Sequence, residues 1–137
     1  MRHKIDDSVI KVYLKELQSG LEIFSSKKLQ RKLLLNIEND TGQMMPIEEV
    51  LEYIFGSGYE YAMNIDYFKG NSDFKNNMEA LDALTHKVLQ DYFNGMSLEK
   101  ILERSKWKEM TLLSKNLLHE LNTSIIEKNS VEIPVIN

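Results

Sequence analysis

Apolar side chains recur at steps of three or four residues along most of this chain, which is the spacing of one face of an α-helix. The clearest stripe follows Pro46, a residue that suits the first turn of a helix because its missing N–H is not needed there. Its members are Ile47, Val50, Leu51, Ile54, Phe55, Gly58, Tyr61, Ala62 and Ile65. The stripe predicts one long helix over this segment.

Stripes of the same period predict further helices on both sides of this one. Capping residues and glycines mark their ends. They are Asp6, Asp7 and Ser8 with Gly20 for the first helix, Ser25 or Ser26 for the second, Ser72 or Asp73 with Gly95 for the fourth, and Ser105 for the last. Only Val131–Ile136 has the pattern of a strand. The sequence therefore predicts an all-α domain over residues 1–128 and a tail over residues 129–137.

Gly58 lies inside the apolar stripe, although a glycine costs a helix about 1 kcal/mol relative to alanine. We therefore expect another helix, or a ligand, to approach the backbone there. Aromatic side chains gather in the same part of the chain, at Tyr53, Phe55, Tyr59, Tyr61, Tyr67 and Phe68. Because tyrosine joins an apolar ring to a polar hydroxyl, they suit either an apolar pocket with a polar end or ordinary packing at a helix end.

The composition is that of a globular protein, and it also indicates the cellular compartment of the chain. A chain of 137 residues, 42% hydrophobic and 28% charged, fits one domain with its own core. The net charge of −4 provides no electrostatic footprint for nucleic acid. The chain has no cysteine, no secretory signal and no apolar run of the roughly 20 residues that span a bilayer. We expect a cytosolic protein that has no membrane span and does not bind nucleic acid.

The chain carries none of the common catalytic or metal-binding motifs. Its histidines, His3, His86 and His119, share no helix face, so a zinc site has no ligand set. The glycines near Gly58 and Gly70 lack the spacing and the Lys-Ser/Thr pair of a phosphate loop. We predict a protein that is not an enzyme and binds no metal.

His86 lies at the border between the apolar and polar faces of its predicted helix, on one flank with Asp82, Leu89 and Phe93. Three interpretations are open. It is a boundary histidine with one satisfied nitrogen, a polar anchor at the mouth of a pocket, or a haem ligand.

The C-terminal part of the chain carries two patterns that resemble known signalling proteins. Residues 118–124, LHELNTS, resemble the phosphoacceptor box of sensor histidine kinases, with Asn122 at the usual arginine and Ser124 at the usual proline. His119 is then either phosphorylated in trans or an exposed helical histidine in a vestigial box. Residues 120–126 followed by 131–136 are similar to the junction between the non-haem globin domain and the anti-sigma-factor-antagonist domain of stressosome proteins.

With an all-helical body, these patterns resemble the small sporulation-inhibitory sensor-domain proteins of bacilli, relatives of the sensor domain of a sporulation histidine kinase. The resemblance implies a globin-like helical bundle without haem, a fatty acid in an apolar tunnel and a chloride ion beside it. It also implies a homodimer formed through the last helices, and inhibition of sporulation by diverting the activating signal from the kinase. The tail would be the remnant of a connector to an output module.

Two hypotheses for the function follow. In the first, a fatty acyl chain binds between the 46–65 and 72–94 helices, with contacts assigned to His86, Tyr61, Phe55, Gly58, Leu89 and Phe93. In the second, the domain is a helical interaction module that needs no ligand and pairs with a kinase sensor domain or with itself. The seam assigned to that pairing is Leu113, Leu117, Leu121 and Ile125.

Overall fold

A computed structural model describes residues 7–127, and every regular element in that range is helical. The elements are α1 Asp7–Ser25, α2 Lys27–Leu29, a first π-helical segment Gln30–Leu34, α3 Ile47–Phe55, α4 Ser57–Asn64, α5 Ser72–Phe93, α6 Leu98–Leu102, α7 Ser105–Glu120 and a second π-helical segment Leu121–Glu127. The predicted all-α class is confirmed. The tail, with its predicted strand, lies outside the described residues.

The core is built around α1, which packs against α3, α4 and α7. Its buried side chains are Ile10, Tyr13, Leu14, Leu17, Leu21, Ile23 and Phe24. Burial of each large apolar side chain is worth about 1.5–3 kcal/mol, so this helix contributes much of the hydrophobic stabilisation. α5 packs against α7 on another side of the bundle.

The sequence pattern predicted that the first helix ends at Gly20. This prediction is wrong, because α1 continues to Ser25. The glycine is buried where α3 crosses α1: a Cβ placed on it would lie 2.5 Å from Cγ1 of Ile54. Gly20 therefore serves the close approach of two helices.

The predicted helix over residues 46–65 is broken in two at Gly56. Gly56 takes an extended conformation, with φ −76° and ψ −158°, and its N–H donates to the Glu52 carbonyl at the end of α3. A Cβ on Gly56 would collide with that same carbonyl oxygen. The Gly56 carbonyl then accepts from the N–H groups of Tyr59 and Glu60, and α4 begins in a new direction.

Gln30 is a buried polar residue that joins three parts of the bundle, with only 1% of its surface exposed. Its side-chain N–H groups donate to the carbonyls of Ile23 and Phe24, at 3.2 and 2.9 Å, in the last turn of α1. The last carbonyls of a helix have no partner within it, so Gln30 caps this end of α1. Its side-chain oxygen accepts from the indole N–H of Trp107 in α7 at 2.9 Å.

Candidate functional site

A groove of about 890 Å³ lies between α3–α4 on one side and α5 on the other. We call it the α3–α5 groove. Its apolar floor consists of Leu51, Phe55 and Tyr59 from α3–α4 and Thr85, Leu89 and Phe93 from α5. Its polar rims consist of Glu48, Glu52 and Glu60 on the first side and Asp82, His86, Gln90 and Asn94 on the second, with Lys87 beside them.

The elongated shape of the groove follows from the spacing of these residues. Along α5, the floor residues 85, 89 and 93 and the rim residues 82, 86, 90 and 94 follow one another at steps of four. Residues four apart are neighbours on the helix surface, so each set forms a continuous row, inclined by about 26° to the helix axis. The α5 rim extends over about 18 Å at 1.5 Å per residue.

The floor of the groove leaves apolar surface in contact with solvent. Phe93 is 62% exposed, although its ring packs edge-on against Tyr92 with ring centres 5.4 Å apart. Phe55 and Tyr59 form a second edge-on pair, also at 5.4 Å. The volume falls within the range of about 300–1,000 Å³ that is usual for small-molecule sites. The shape and the exposed apolar surface suit an elongated apolar molecule.

The electrostatic environment of the groove is negative. Burial, followed by the charges of Asp82 and Glu79, raises the pKa of Tyr59 from 10.0 to about 12. At the other end, the Tyr92 hydroxyl donates to a Glu48 carboxylate oxygen at 3.2 Å, and burial followed by that carboxylate raises the pKa of Tyr92.

The free energy of unfolding is expected to fall as pH rises from about 10 to about 12, and Tyr59→Phe should flatten this fall. Because the pKa of Tyr59 is raised in the folded protein, its stabilising contribution is complete below pH 10 and is lost as pH rises towards 12. Urea unfolding at several pH values in this window measures the slope. A slope equal to that of the wild type would contradict the assignment.

Four of the six predicted ligand contacts line the groove: Phe55, His86, Leu89 and Phe93. The other two, Gly58 and Tyr61, border a separate cavity of about 480 Å³ between α1 and α4. The structure therefore does not bring the six residues into one site.

The space next to Gly58 is filled by a side chain of the neighbouring helix α1. A Cβ on Gly58 would lie 2.7–2.9 Å from atoms of the Tyr13 side chain in α1. The predicted close approach is confirmed, and the approaching group is this ring. The hydroxyl of Tyr13 donates to the Ile54 carbonyl at 3.2 Å, which holds the ring in place.

His86 lies on the α5 rim with its side chain 80% exposed. Its Nδ1 lies 2.9 Å from the Asp82 carbonyl and 3.2 Å from an Asp82 carboxylate oxygen, one turn earlier. This arrangement matches the interpretation of a boundary histidine with one satisfied nitrogen. His119 is exposed on α7, and the Thr123 hydroxyl donates to its carbonyl at 2.9 Å.

The residues assigned to a dimer seam are core residues of a single chain. Leu117, Leu121 and Ile125 are buried on the face of α7 and the second π-helical segment that meets the bundle, and Leu113 is half-buried. Their side chains are not available to a second copy in this fold. The exposed apolar residue of α7 is Leu112, at 61%.

The acidic rim of the groove was not among the predicted site residues, although the sequence contains a signal for it. Between Lys32 and Lys69 the chain has no lysine or arginine but seven acidic residues: Glu38, Asp40, Glu48, Glu49, Glu52, Glu60 and Asp66. Charge counted by segment, instead of over the whole chain, would have marked α3 and α4 as an acidic surface.

Comparison of the chain with protein-family models, curated proteins and solved structures finds no match. Within residues 7–127, none of the helices combines the length and the apolar character needed to cross a membrane. That part of the chain also contains no group of three or more His, Asp or Glu side chains placed to hold a metal ion.

Proposed function

We propose that this chain is a non-enzymatic sensing domain that binds an elongated apolar ligand in the α3–α5 groove. The observation that carries this proposal is the exposed apolar floor between two polar rims, with Phe93 62% exposed. If no ligand covered this apolar surface, closing α3 onto α5 would bury the surface and stabilise the folded protein.

Affinity would come mainly from the apolar chain of the ligand. Each buried methylene contributes about 0.8 kcal/mol, so ten methylenes contribute about 8 kcal/mol before the costs of association are subtracted. A fatty acyl chain or a similar alkyl chain has the required shape.

The packing of α5 provides a route from ligand to signal. α3 and α4 pack against α1, whereas α5 packs against α7. A ligand that separates the two walls would shift α5 relative to α1, and α7 would follow because it contacts both. Such a shift requires the ligand to bind the separated arrangement more tightly.

The regulatory role that we propose rests on the C-terminal patterns around His119. Their resemblance to sporulation-inhibitory sensor-domain proteins supports a globin-like, haemless domain in the cytoplasm that inhibits sporulation. In this proposal the chain takes up the activating apolar signal and so diverts it from a sensor histidine kinase.

A neutral ten-carbon probe, 1-decanol, is expected to raise the melting temperature of the protein, and Phe93→Ala to weaken its binding roughly tenfold, because a large ring leaves the groove floor. Calorimetric titration measures the affinity. The matched control is Leu112→Ala, since Leu112 is as exposed as Phe93 but lies on α7, outside the groove.

The control variant is expected to bind 1-decanol as the wild type does. Equal affinities for all three proteins would show that the probe binds elsewhere. If neither 1-decanol nor charged amphiphiles of the same length bind at all, the proposed function is wrong.

A further inference from the structure

The two rims of the α3–α5 groove differ in charge. The α3–α4 rim carries Glu48, Glu52 and Glu60 and no lysine or arginine. The α5 rim adds Asp82, and its His86 lies against that carboxylate. Lys87 is the one lysine or arginine of the lining; it also borders another cavity on the side of Arg104, as Glu52 borders the cavity between α1 and α4. A ligand in the groove therefore meets more negative than positive charge.

The carboxylates of the α3–α4 rim have no lysine or arginine partner within residues 7–127. Glu52 and Glu60 form no ion pair or side-chain hydrogen bond within residues 7–127, and Glu48 has only the Tyr92 hydroxyl. Three acidic residues outside the groove pair with lysine or arginine, as Asp40–Lys32, Asp66–Lys75 and Asp91–Arg104, whereas others, such as Glu22 and Glu38, have no such pair within residues 7–127. The rim therefore presents uncompensated negative charge next to an apolar floor.

Aromatic rings lie among these carboxylates. Phe55 and Tyr59 are part of the floor on the side that carries Glu60, and Phe93 lines the other wall. The face of an aromatic ring attracts an ammonium group, and neighbouring carboxylates add to that attraction. A carboxylate head would meet repulsion from the same groups.

We propose that the ligand of the α3–α5 groove is an amphiphile with a cationic head, such as an alkylammonium, whose chain lies on the apolar floor and whose head lies at the acidic rim. This inference rests on the proposed function and names the chemical class of its ligand. The groove thereby selects against the carboxylate of a fatty acid while retaining the apolar-chain site.

Three probes with the same ten-carbon chain separate the head from the chain: decyltrimethylammonium, 1-decanol and decanoate. The two charged probes are titrated below their micelle concentrations and 1-decanol below its solubility limit. The wild type is expected to bind the ammonium at least tenfold more tightly than decanoate, with 1-decanol between them. Raising the salt concentration should reduce this preference, because the rim is exposed to solvent.

The double variant Glu52→Gln/Glu60→Gln is expected to reduce the preference for the ammonium to less than threefold and to leave the affinity for 1-decanol unchanged. The matched control, Glu22→Gln/Glu38→Gln, removes the same charge from exposed positions outside the groove and should keep the full preference.

The outcomes distinguish the two proposals. If 1-decanol binds but decanoate binds as tightly as the ammonium, the cationic head is ruled out and the apolar-ligand site stands. If the ammonium preference persists in the Glu52→Gln/Glu60→Gln variant, the rim does not recognise the head, and the inference also fails. If none of the probes binds, the proposed function fails.

Discussion

Gln30→Leu is expected to lower the free energy of unfolding by about 3 kcal/mol or more, the largest effect of any substitution considered for this fold. The leucine has a similar size but leaves the Trp107 indole N–H and the Phe24 carbonyl without the bonds that Gln30 makes, whereas the Ile23 carbonyl keeps its bond from the Ser26 N–H. Each buried polar group left without a partner costs about 1–3 kcal/mol. Urea unfolding followed by circular dichroism measures the change.

A double-mutant cycle with Trp107→Phe tests the cause of this loss. If the hydrogen bond is responsible, the double variant is less destabilised than the sum of the single variants, by about 1 kcal/mol. Gln90→Leu is the control, because this glutamine is exposed on α5 and the change should stay within about 0.5 kcal/mol. A Gln30→Leu variant as stable as the control would contradict the capping role.

Gly58→Ala is expected to lower the free energy of unfolding by about 2 kcal/mol, although alanine favours a helix by about 1 kcal/mol over glycine. The added methyl group would lie 2.7–2.9 Å from three atoms of Tyr13, including its Cβ. Rotation of the ring alone cannot relieve this contact, because the Tyr13 Cβ is fixed to α1. α4 must therefore move away from α1.

Gly70→Ala is the matched control for this substitution. Nothing lies within 4 Å of a Cβ at Gly70, and alanine should be neutral or slightly stabilising there. Chemical unfolding of both variants compares the two sites. Similar stabilities would show that α1 and α4 can separate at no cost.

The Gly58→Ala substitution, although it lies in the packing of α1 against α4, is also expected to affect the groove. α4 carries Tyr59 and Glu60, the residues that follow Gly58, into the wall of the α3–α5 groove. Movement of α4 away from Tyr13 should therefore change ligand affinity as well as stability, and 1-decanol titration of the variant measures this.

Helix periodicity predicted much of the fold and only part of the site. The apolar stripe that contains Phe55 could be predicted from the sequence, because its members recur at helical spacing. The acidic residues Glu48 and Glu52 of α3 have the same spacing, and Glu60 follows on α4, but charged residues on a helix surface usually face water, so periodicity alone does not single them out.

The hypothesis of a seam on α7 shows a second limit of sequence patterns. An apolar stripe such as Leu117, Leu121 and Ile125 predicts that this face is buried, and it is. The stripe does not specify which partner covers the face. In this fold the face is buried within the chain's own bundle, where α7 packs against α1 and α5, so the same pattern that suggested a dimer describes the core.

The sequence by itself determined the all-α class, most helix starts and the need for a close contact at Gly58, because these depend on local spacing and on the steric freedom of glycine. Tertiary structure alone decided that Tyr13 fills that contact, that Gln30 caps α1, and that Glu52 and Glu60 border the same groove as Phe93. These facts depend on which helices meet in space. Residues far apart in the chain become neighbours only when the core packs.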